Sequence, residues 1–455
     1  MPGITDARSQ ELRQDFEKVL QILKASPGID KNLAVPPKEF ARRQQATWLA
    51  LEQAGLDAGF VFSDEHYNGD VPYLGGNTNI SIEQVAGVIG KQGFHVVAGL
   101  EGGYVCEQLA DRAGAIVHKV ELLQLADEKY PIQAERLEDV LEAAAGKPPN
   151  RIGLLTPRQV IPDGVVTQLE KIVGKANVVD AQEAYQRIRY EKSDIEIALI
   201  RDASLVGDAM LRCMLAVVRP GQLETQLAGW AYWAAKELGS EENGWDVIVL
   251  SGDANRTLIG KALNRPIHGG QYLHLGVAPK RDGLNACVRR SVIVPSAGGK
   301  GPTPQQQFWF DFILQAYQVG EVAYRQVARH NLPAYLQEKA LVDFFAAHSA
   351  EVSRRYGKDI ALETLKPYTG THNAGYTECQ EFYGAITLDS AAPLGKQIVT
   401  MLDVAIRGIG DHWNDVVLPD LDYIAIENTL GKSGDQVENF NQLPLNVQAL
   451  VGAGI

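Results

Sequence analysis

The stretch that decides the fold of the C-terminal half is GQYLHLGVAPKRDGLNACVRRS, residues 270–291. It carries two strand-like runs, QYLHLGV and ACVRRSVIV, and similar runs occur elsewhere in this half as WDVIVLSG, QIVTMLDVAI and DYIAIENTL. Two helical segments, 304–330 and 336–356, interrupt the runs. This order is typical of an α+β domain in which helices pack on one side of a curved antiparallel sheet.

The N-terminal half instead alternates strands and helices. Helical patterns over 38–55, 134–145 and 164–174 are interleaved with strand-like DAGFVFS, FHVVAGL, GAIVHKVEL and RIGLL, which predicts an α/β domain with a mixed sheet. Ser193 or Asp194 can cap a long helix that ends before Pro220-Gly221. We therefore predict two domains, 1–182 and 183–455.

Composition excludes several classes of protein. The chain has 455 residues, of which 45% are hydrophobic and 22% charged, so long disorder is not expected. Its net charge of −13 argues against binding nucleic acid or an anionic membrane. Four dispersed cysteines, no secretory signal and no long apolar run predict a cytoplasmic protein without disulfides.

Five motifs, taken in order, point to one family. They are RYEKSDIEIALIRDA, VIVLSG, the 270–291 stretch, GTHNAG and IENT. Over roughly 185–435 the chain resembles the pita-bread family that includes methionine aminopeptidase, aminopeptidase P, prolidase and creatinase. The region 38–180 looks like the N-terminal domain of creatinase and aminopeptidase P. The 270–291 stretch resembles creatinase more than the peptidases, including Pro279, Gly283 and Arg290.

The resemblance implies a metal centre whose ligands are largely replaced here. Peptidases of this family hold two divalent ions with two Asp, one His and two Glu. Counting from the motifs, the two Asp positions fall on Gly276 and Cys287, and the His position on His372. The last Glu is Glu427.

The first Glu position falls on Leu402, with Asp403 beside it. Asp403 could serve only if its strand shifted by one residue, because a one-residue slip moves a side chain to the other face. We therefore predict no metal cofactor. The alternatives are a dinuclear site or a mononuclear one that draws on Cys287, His372, Asp403 and Glu427.

Creatinase offers a metal-free precedent within the family, since it uses a His as acid/base. That His falls near Ile259 here, and the Glu before the conserved Arg is Arg289, so the chain is not creatinase itself. His372 and Glu427 are the predicted acid/base residues. A carboxylate among apolar neighbours has a raised pKa unless Arg or His is near, which suits Glu427 to this role.

Further candidates surround these two residues. Cys379 falls where the peptidases place a second His and could form a Cys–His nucleophile, with Glu378 beside it and Tyr376 nearby. Buried packing is the alternative for both Cys287 and Cys379.

Arg289 and Arg290 alternate faces on one strand, so one of them points into the sheet concavity. We predict that Arg289 anchors a substrate carboxylate or pairs with Glu427. Arg290 has the family position that is usually structural, and we count it, like His274, Cys287, Tyr376 and His412, among the candidate substrate-binding residues. A structural salt bridge is the alternative for Arg289. His274 shares a face with Gly276 and could replace a lost base, and His412 could line the rim.

The resulting hypothesis is a metal-independent hydrolase that cleaves a C–N bond of a small, carboxylate-bearing amide, guanidino or modified amino-acid substrate. The alternatives are a lyase that acts by base-assisted elimination, an Xaa-Pro-type metalloaminopeptidase with a rebuilt site, and a non-catalytic binding protein. The resemblance also implies a homodimer in which the N-terminal domain of one subunit caps the other's pocket. The Gly-rich loop 66–76 is the candidate cap.

Overall fold

A computed structural model describes residues 4–76, 83–124, 133–296, 299, 301–377 and 383–453. The chain divides into two compact units. The N-terminal unit comprises Leu33–Glu191 with Gly375–Tyr383. The C-terminal unit comprises Met1–Asn32, Lys192–Ala374 and Gly384–Ile455.

The described helices of both units are, in chain order, α1 Asp6–Ala25, α2 Pro37–Gln53, α3 Asp70–Gly75, α4 Gly102–Ala110, α5 Leu137–Ala145, α6 Asp163–Val173, α7 Gln182–Tyr190, α8 Asp194–Val217, α9 Glu224–Glu237, α10 Pro304–His330 and α11 Tyr335–Tyr356. The predicted helices 38–55, 134–145, 164–174, 304–330 and 336–356 correspond to α2, α5, α6, α10 and α11. Ser193 and Glu196 form the capping box that begins α8.

The described strands are β1 Ala58–Ser63, β2 Val85–Gly90, β3 Gly93–Ala98, β4 Ile116–Lys119, β5 Ile152–Leu154, β6 Val178–Asp180, β7 Ile248–Ser251, β8 Tyr272–Val277, β9 Lys280–Arg281, β10 Leu284–Asn285, β11 Val288–Ile293, β12 Thr371–Asn373, β13 Gln397–Arg407, β14 Tyr423–Ser433 and β15 Gln436–Asn439. Each strand-like run quoted from the sequence overlaps one of them.

The N-terminal unit is built on a six-stranded mixed sheet in the order β4-β3-β2-β1-β5-β6. Strands β1, β2 and β3 pair antiparallel, whereas β4, β5 and β6 join in parallel. Helices α5 and α6 cover one face with apolar side chains such as Leu141 and Leu169, both fully buried. This confirms the predicted α/β fold class for the region.

The predicted Gly-rich loop 66–76 is not wholly a loop, because Asp70–Gly75 form the short helix α3. All six of its residues are buried. Asp70 pairs with Arg189, and its backbone carbonyl accepts a hydrogen bond from Tyr185. The capping role of this segment stays a prediction.

The C-terminal unit is built on a seven-stranded antiparallel sheet. Its order is β12-β13-β14-β11-β8-β7, and β15 pairs with the C-terminal end of β14. The long strands β13 and β14 pair over their whole length, from Gln397 opposite Ser433 to Arg407 opposite Tyr423. The buried faces of helices α8 and α9 are mostly apolar and form a large part of the core of this unit. This confirms the predicted α+β pita-bread architecture.

Residues 1–32 belong to the C-terminal unit, which differs from the predicted first domain of 1–182. Asp15 on α1 is buried and accepts two hydrogen bonds from the Nη1 of Arg219, at 2.9 and 3.0 Å. Val19 and Ile22 pack into the core of α8 and α9. The boundary between the two units also falls after Glu191 instead of 182, because α7 belongs to the N-terminal unit.

No helix in the described part of the chain combines the length and apolar character needed to cross a membrane. The cytoplasmic location stays a prediction.

A buried histidine pair lies between β3 and β4 in the N-terminal unit. The Nδ1 of His95 lies 2.8 Å from the Nε2 of His118, whose Nδ1 lies 2.8 Å from the Oε2 of Glu135. Burial, reinforced by the adjacent His118, lowers the pKa of His95 from 6.5 to about 4. His95 is therefore neutral in the folded protein.

We predict that this pair makes stability depend on pH. The unfolded chain takes up a proton at His95 below pH 6.5 and the folded chain only near pH 4, so stability falls as pH drops through this window. Between pH 7 and pH 5 the loss from His95 is about 2 kcal/mol. Thermal unfolding of the wild type and of His95→Gln should show a smaller pH-dependent change in the variant. Exposed His412→Gln is the control, and an equal change in all three proteins would contradict the prediction.

Candidate functional site

Four strands of the C-terminal unit bring the predicted site residues into one row. Arg289 on β11 lies opposite Gly276 on β8 and also opposite Glu427 on β14. Glu427 in turn lies opposite Asp403 on β13. Directly opposed residues of neighbouring strands project to the same face of a sheet. Arg289, Asp403 and Glu427 therefore share one face, beside a glycine.

The guanidinium of Arg289 joins the two carboxylates of the row. Its Nη1 donates a hydrogen bond to the Oδ2 of Asp403 at 2.9 Å, and its Nε lies 3.0 Å from the Oε2 of Glu427. The ring of Trp245 lies 5.1 Å from the centre of the guanidinium. The three charged side chains are at most 5% exposed. The site thus contains its own cation.

The two carboxylates differ in their affinity for a proton. Burial and repulsion by Glu427 raise the pKa of Asp403, although Arg289 and a hydrogen bond from Tyr368 oppose the shift. Burial would also raise the pKa of Glu427, but attraction by Arg289 and His372 outweighs it and holds that pKa low. The exception stated for Glu427 applies, because Arg289 and His372 lie beside it and its pKa is lowered instead of raised. The pair therefore favours a proton on Asp403 and an ionised Glu427.

His372 lies on β12, where its side chain is 16% exposed. Its Nε2 lies 3.5 Å from the Oε1 of Glu427, and its Nδ1 lies 3.2 Å from the carbonyl oxygen of Asn373. Both ring nitrogens thus face oxygen atoms, and the tautomer decides which of them carries the proton of the neutral ring. Since Asp403 and Glu427 are buried, His372 is the member of this group best placed to meet a substrate.

Asp403, and not Leu402, faces the site. The expected position for the first Glu was Leu402, but Leu402 lies opposite Asn428 and packs toward Gly320 of α10 on the helical side of the sheet. The motif count was therefore off by one residue, which reverses the face of every side chain on a strand. Ligand atoms of His372, Asp403 and Glu427 lie within 4.8 Å of one another.

Cys287 lies two residues before Arg289 on the same face. Its thiol donates to the Oε2 of Glu427 at 3.0 Å, and its backbone N–H donates to the Oγ1 of Thr429 at 3.0 Å. The residue is fully buried. Cys287 therefore contacts the predicted acid/base Glu427 directly.

His274 packs against residues that surround the site. It is fully buried, its Nδ1 lies 3.0 Å from the Oγ of Ser291, and its ring packs edge-on against Tyr423. Burial, followed by repulsion from Arg289, lowers the pKa of His274 to about 3. The imidazole is therefore neutral.

Arg290 points to the opposite face from Arg289 and stabilises the fold instead of lining the site. It is nearly fully buried and donates hydrogen bonds to Asn428 and to the carbonyl oxygens of Pro444 and Leu443. Burial lowers its pKa to about 10, so it stays charged at neutral pH. The predicted substrate-binding role of Arg290 is corrected: it holds the segment that follows β15.

The remaining predicted residues lie elsewhere. Tyr376 belongs to the N-terminal unit, where its hydroxyl accepts a hydrogen bond from Arg43 and its ring packs against Tyr73. His412 lies exposed in the turn between β13 and β14. Glu378 and Cys379 lie outside the described residues.

Three aromatic residues of the site were missed in the sequence. Trp245 packs against Arg289, and the phenols of Tyr368 and Tyr423 hydrogen-bond to each other. Tyr423 precedes Glu427 by four residues on β14, so strand alternation alone could have placed it on the same face. No comparable signal marks Trp245 or Tyr368, which lie outside regular strands.

The side chains do not fit the two-metal centre of the resembling peptidases. Gly276 has no ligand atom, Cys287 is engaged with Glu427, and the guanidinium of Arg289 already lies against both Asp403 and Glu427. Two divalent cations need bridging carboxylates that are not already paired with another cation.

Comparison with known proteins supports the family resemblance. Residues 198–331 match the model of metallopeptidase family M24. An uncharacterized peptidase, YqhT, of Bacillus subtilis (strain 168) is 20% identical over 244 residues, which are 53% of this chain and 65% of that protein. The chain thus spans just under two thirds of the length of this relative.

Solved structures of the same fold include two peptidases. X-Pro aminopeptidase from Thermotoga maritima MSB8 has a TM-score of 0.67 and 16% identity, with 89% of this chain and 99% of that chain covered. Dipeptidase PepE from Mycobacterium ulcerans has a TM-score of 0.66 and 18% identity, with 91% and 99% covered. These likenesses confirm the pita-bread fold expected from the five motifs.

We predict that Arg290 stabilises the C-terminal unit. Arg290→Met leaves several buried acceptors without their donor and should lower the free energy of unfolding by about 3 kcal/mol. Urea denaturation followed by tryptophan fluorescence reports mainly on this unit, because it holds five of the six tryptophans: Trp230, Trp233, Trp245, Trp309 and Trp413.

The matched control for this variant is Arg201→Met. Arg201 pairs with Glu438 at the surface, and such exposed pairs contribute less than about 1 kcal/mol. Equal losses in the two variants would show that Arg290 has no special structural role.

Proposed function

Taking the M24 metallopeptidase domain at residues 198–331 as the premise, we propose that this chain hydrolyses an amide-type C–N bond of a small substrate through its own side chains, without a pair of metal ions. The observation that carries the proposal is the linear array Arg289–Glu427–His372. It joins a fixed cation, an ionised carboxylate and a partly exposed imidazole. A hydrolase needs such an imidazole to move protons between water and the leaving nitrogen.

Glu427 acts on His372 as a positioning residue. Its Oε1 lies 3.5 Å from Nε2, so the carboxylate orients the ring and stabilises its protonated form. The same division of work between a buried carboxylate and an imidazole occurs in hydrolytic triads. With the proton of the neutral ring on Nε2, toward Glu427, Nδ1 carries the lone pair and is the nitrogen that exchanges protons with water and substrate. It lies 3.2 Å from the carbonyl oxygen of Asn373.

Asp403 and Arg289 complete the charge of the site. Arg289 keeps Glu427 ionised, and the raised pKa of Asp403 keeps a proton available beside it. In the proposed reaction His372 removes a proton from water as the water attacks the acyl or amidine carbon. The protonated His372 then donates to the nitrogen that leaves.

The class of bond is inferred from the relatives and not from the shape of the site. The M24 relatives reported above carry the names of peptidases, which favours a peptide or related amide bond over a guanidino bond. A substrate carboxylate held by Arg289 is no longer part of the proposal, because Arg289 contacts Asp403 and Glu427. A homodimer and a cytoplasmic location remain expectations that derive from the family resemblance and the sequence.

We predict that His372→Gln lowers kcat by at least about 100-fold with little change in KM, because general acid–base catalysis is lost while substrate contacts remain. The assay screens dipeptides, N-acyl amino acids and guanidino acids for turnover by the wild type, then compares the variants on the best substrate. The exposed His412→Gln should retain full activity.

The proposal fails if His372→Gln keeps wild-type kcat on a substrate that the wild type turns over. It fails equally if no member of the screen is cleaved by well-folded wild-type protein. In that second case a binding role on a peptidase fold would replace the hydrolase, because Arg289 would then serve only to neutralise the former site.

A further inference from the structure

We infer that the guanidinium of Arg289 replaces the divalent cations of this site as its resident positive charge, and that Gly276 is the residue that makes room for it. The inference concerns the charge and shape of the site and does not depend on the hydrolase proposal. It rests on three independent contacts within the C-terminal unit.

The first contact is the one between Arg289 and the two carboxylates. The guanidinium reaches Asp403 at 2.9 Å and Glu427 at 3.0 Å from different nitrogens, so one side chain bridges residues on two other strands. Bridging of facing carboxylates is what a metal ion does in a carboxylate-rich site. A buried arginine can do the same because its charge is delocalised and its donors form a fixed fork.

The second contact explains why position 276 carries glycine. A Cβ atom at Gly276 would lie 3.1 Å from the Cγ of Arg289 and 3.2 Å from the Cη2 of Trp245. These separations are shorter than ordinary carbon–carbon contacts. An aspartate at 276 would add further atoms beyond this Cβ, so Arg289 and Trp245 would have to shift to admit it.

The third contact concerns position 287, the other place where an aspartate is expected from the resemblance. Cys287 donates its thiol proton to Glu427 at 3.0 Å. A carboxylate in its place would add a third acidic group next to Asp403 and Glu427. Among the contacts described above, Arg289 is the cation that reaches both of them. Gly276, Cys287 and Arg289 therefore form one consistent set of replacements.

Manganese titration tests the cation replacement directly. Purified wild type and Arg289→Ala are titrated with Mn²⁺ alone by calorimetry, and thermal unfolding is measured with and without millimolar Mn²⁺. The variant loses the charge between Asp403 and Glu427, while His372, Asp403 and Glu427 remain as three ligands within 4.8 Å.

We expect the wild type to bind no Mn²⁺ at this site and to keep its Tm unchanged by the ion. We expect Arg289→Ala to unfold several degrees lower than the wild type, to bind one Mn²⁺ and to recover part of its Tm when the ion is added. Arg289→Lys keeps a charge in place and should bind no Mn²⁺. Arg201→Ala is the surface control and should behave as the wild type does.

A double-mutant cycle tests the role of Gly276. Gly276→Ala should lower the Tm in the native background, because Arg289 and Trp245 must move. In the Arg289→Ala background the same change should cost distinctly less, since one of the two obstructing side chains is gone.

Three outcomes would overturn the inference. They are stoichiometric Mn²⁺ binding by the wild type with a rise in Tm, failure of folded Arg289→Ala to gain an Mn²⁺ site, and an equal cost of Gly276→Ala in both backgrounds. If Arg289→Ala does not fold, Gly276→Asp in the native background decides. A clear fall in Tm supports the need for glycine at 276, and wild-type stability refutes it.

Discussion

The bridge from Arg289 to Asp403 and Glu427 is the interaction on which the rest of the site depends. Two carboxylates face each other across neighbouring strands in a buried position, and without a cation their repulsion would destabilise the centre of the sheet. Arg289 offsets that repulsion from the adjacent strand. Because the cation is covalently part of the chain, the site does not need to acquire one from solution.

The contacts of Arg289 with Asp403 and Glu427 also limit the chemistry that the site can perform. A divalent ion polarises a carbonyl and activates water, whereas a guanidinium can only hold charge and donate hydrogen bonds. Proton transfer must then come from a titratable side chain near neutral pH. In the proposed function His372 takes this role, since its Nε2 lies 3.5 Å from Glu427 and its side chain remains partly exposed. The loss of metal ligands and the retention of the histidine are therefore compatible within one site.

Much of the fold could be predicted from the sequence, because helical and strand periodicities are local properties. The strand-like runs and the longer helices all appear in the structure. The pairing of Arg289 with Glu427 was among the predictions, but its contact with Asp403 was not, since that contact depends on the register of β11, β13 and β14 together. The mistaken choice of Leu402 over Asp403 has the same cause: a motif count fixes position along a chain, while the pairing of β13 with β14 fixes the face. The division of the chain escaped prediction because α1 finds its partners about two hundred residues away.

That long-range packing of α1 has a consequence for the order in which the protein folds during synthesis. Lys18 donates hydrogen bonds to the carbonyl oxygens of Ala216 and Gly452, which are 198 and 434 residues distant. Helix α1 therefore leaves the ribosome long before its docking surface exists, and its apolar side chains wait in solvent while the N-terminal sheet forms. Docking of α1 is therefore a late step that closes a loop of 434 residues between Lys18 and Gly452. Helix α1 thus reaches its native contacts only after residues that are made much later have folded.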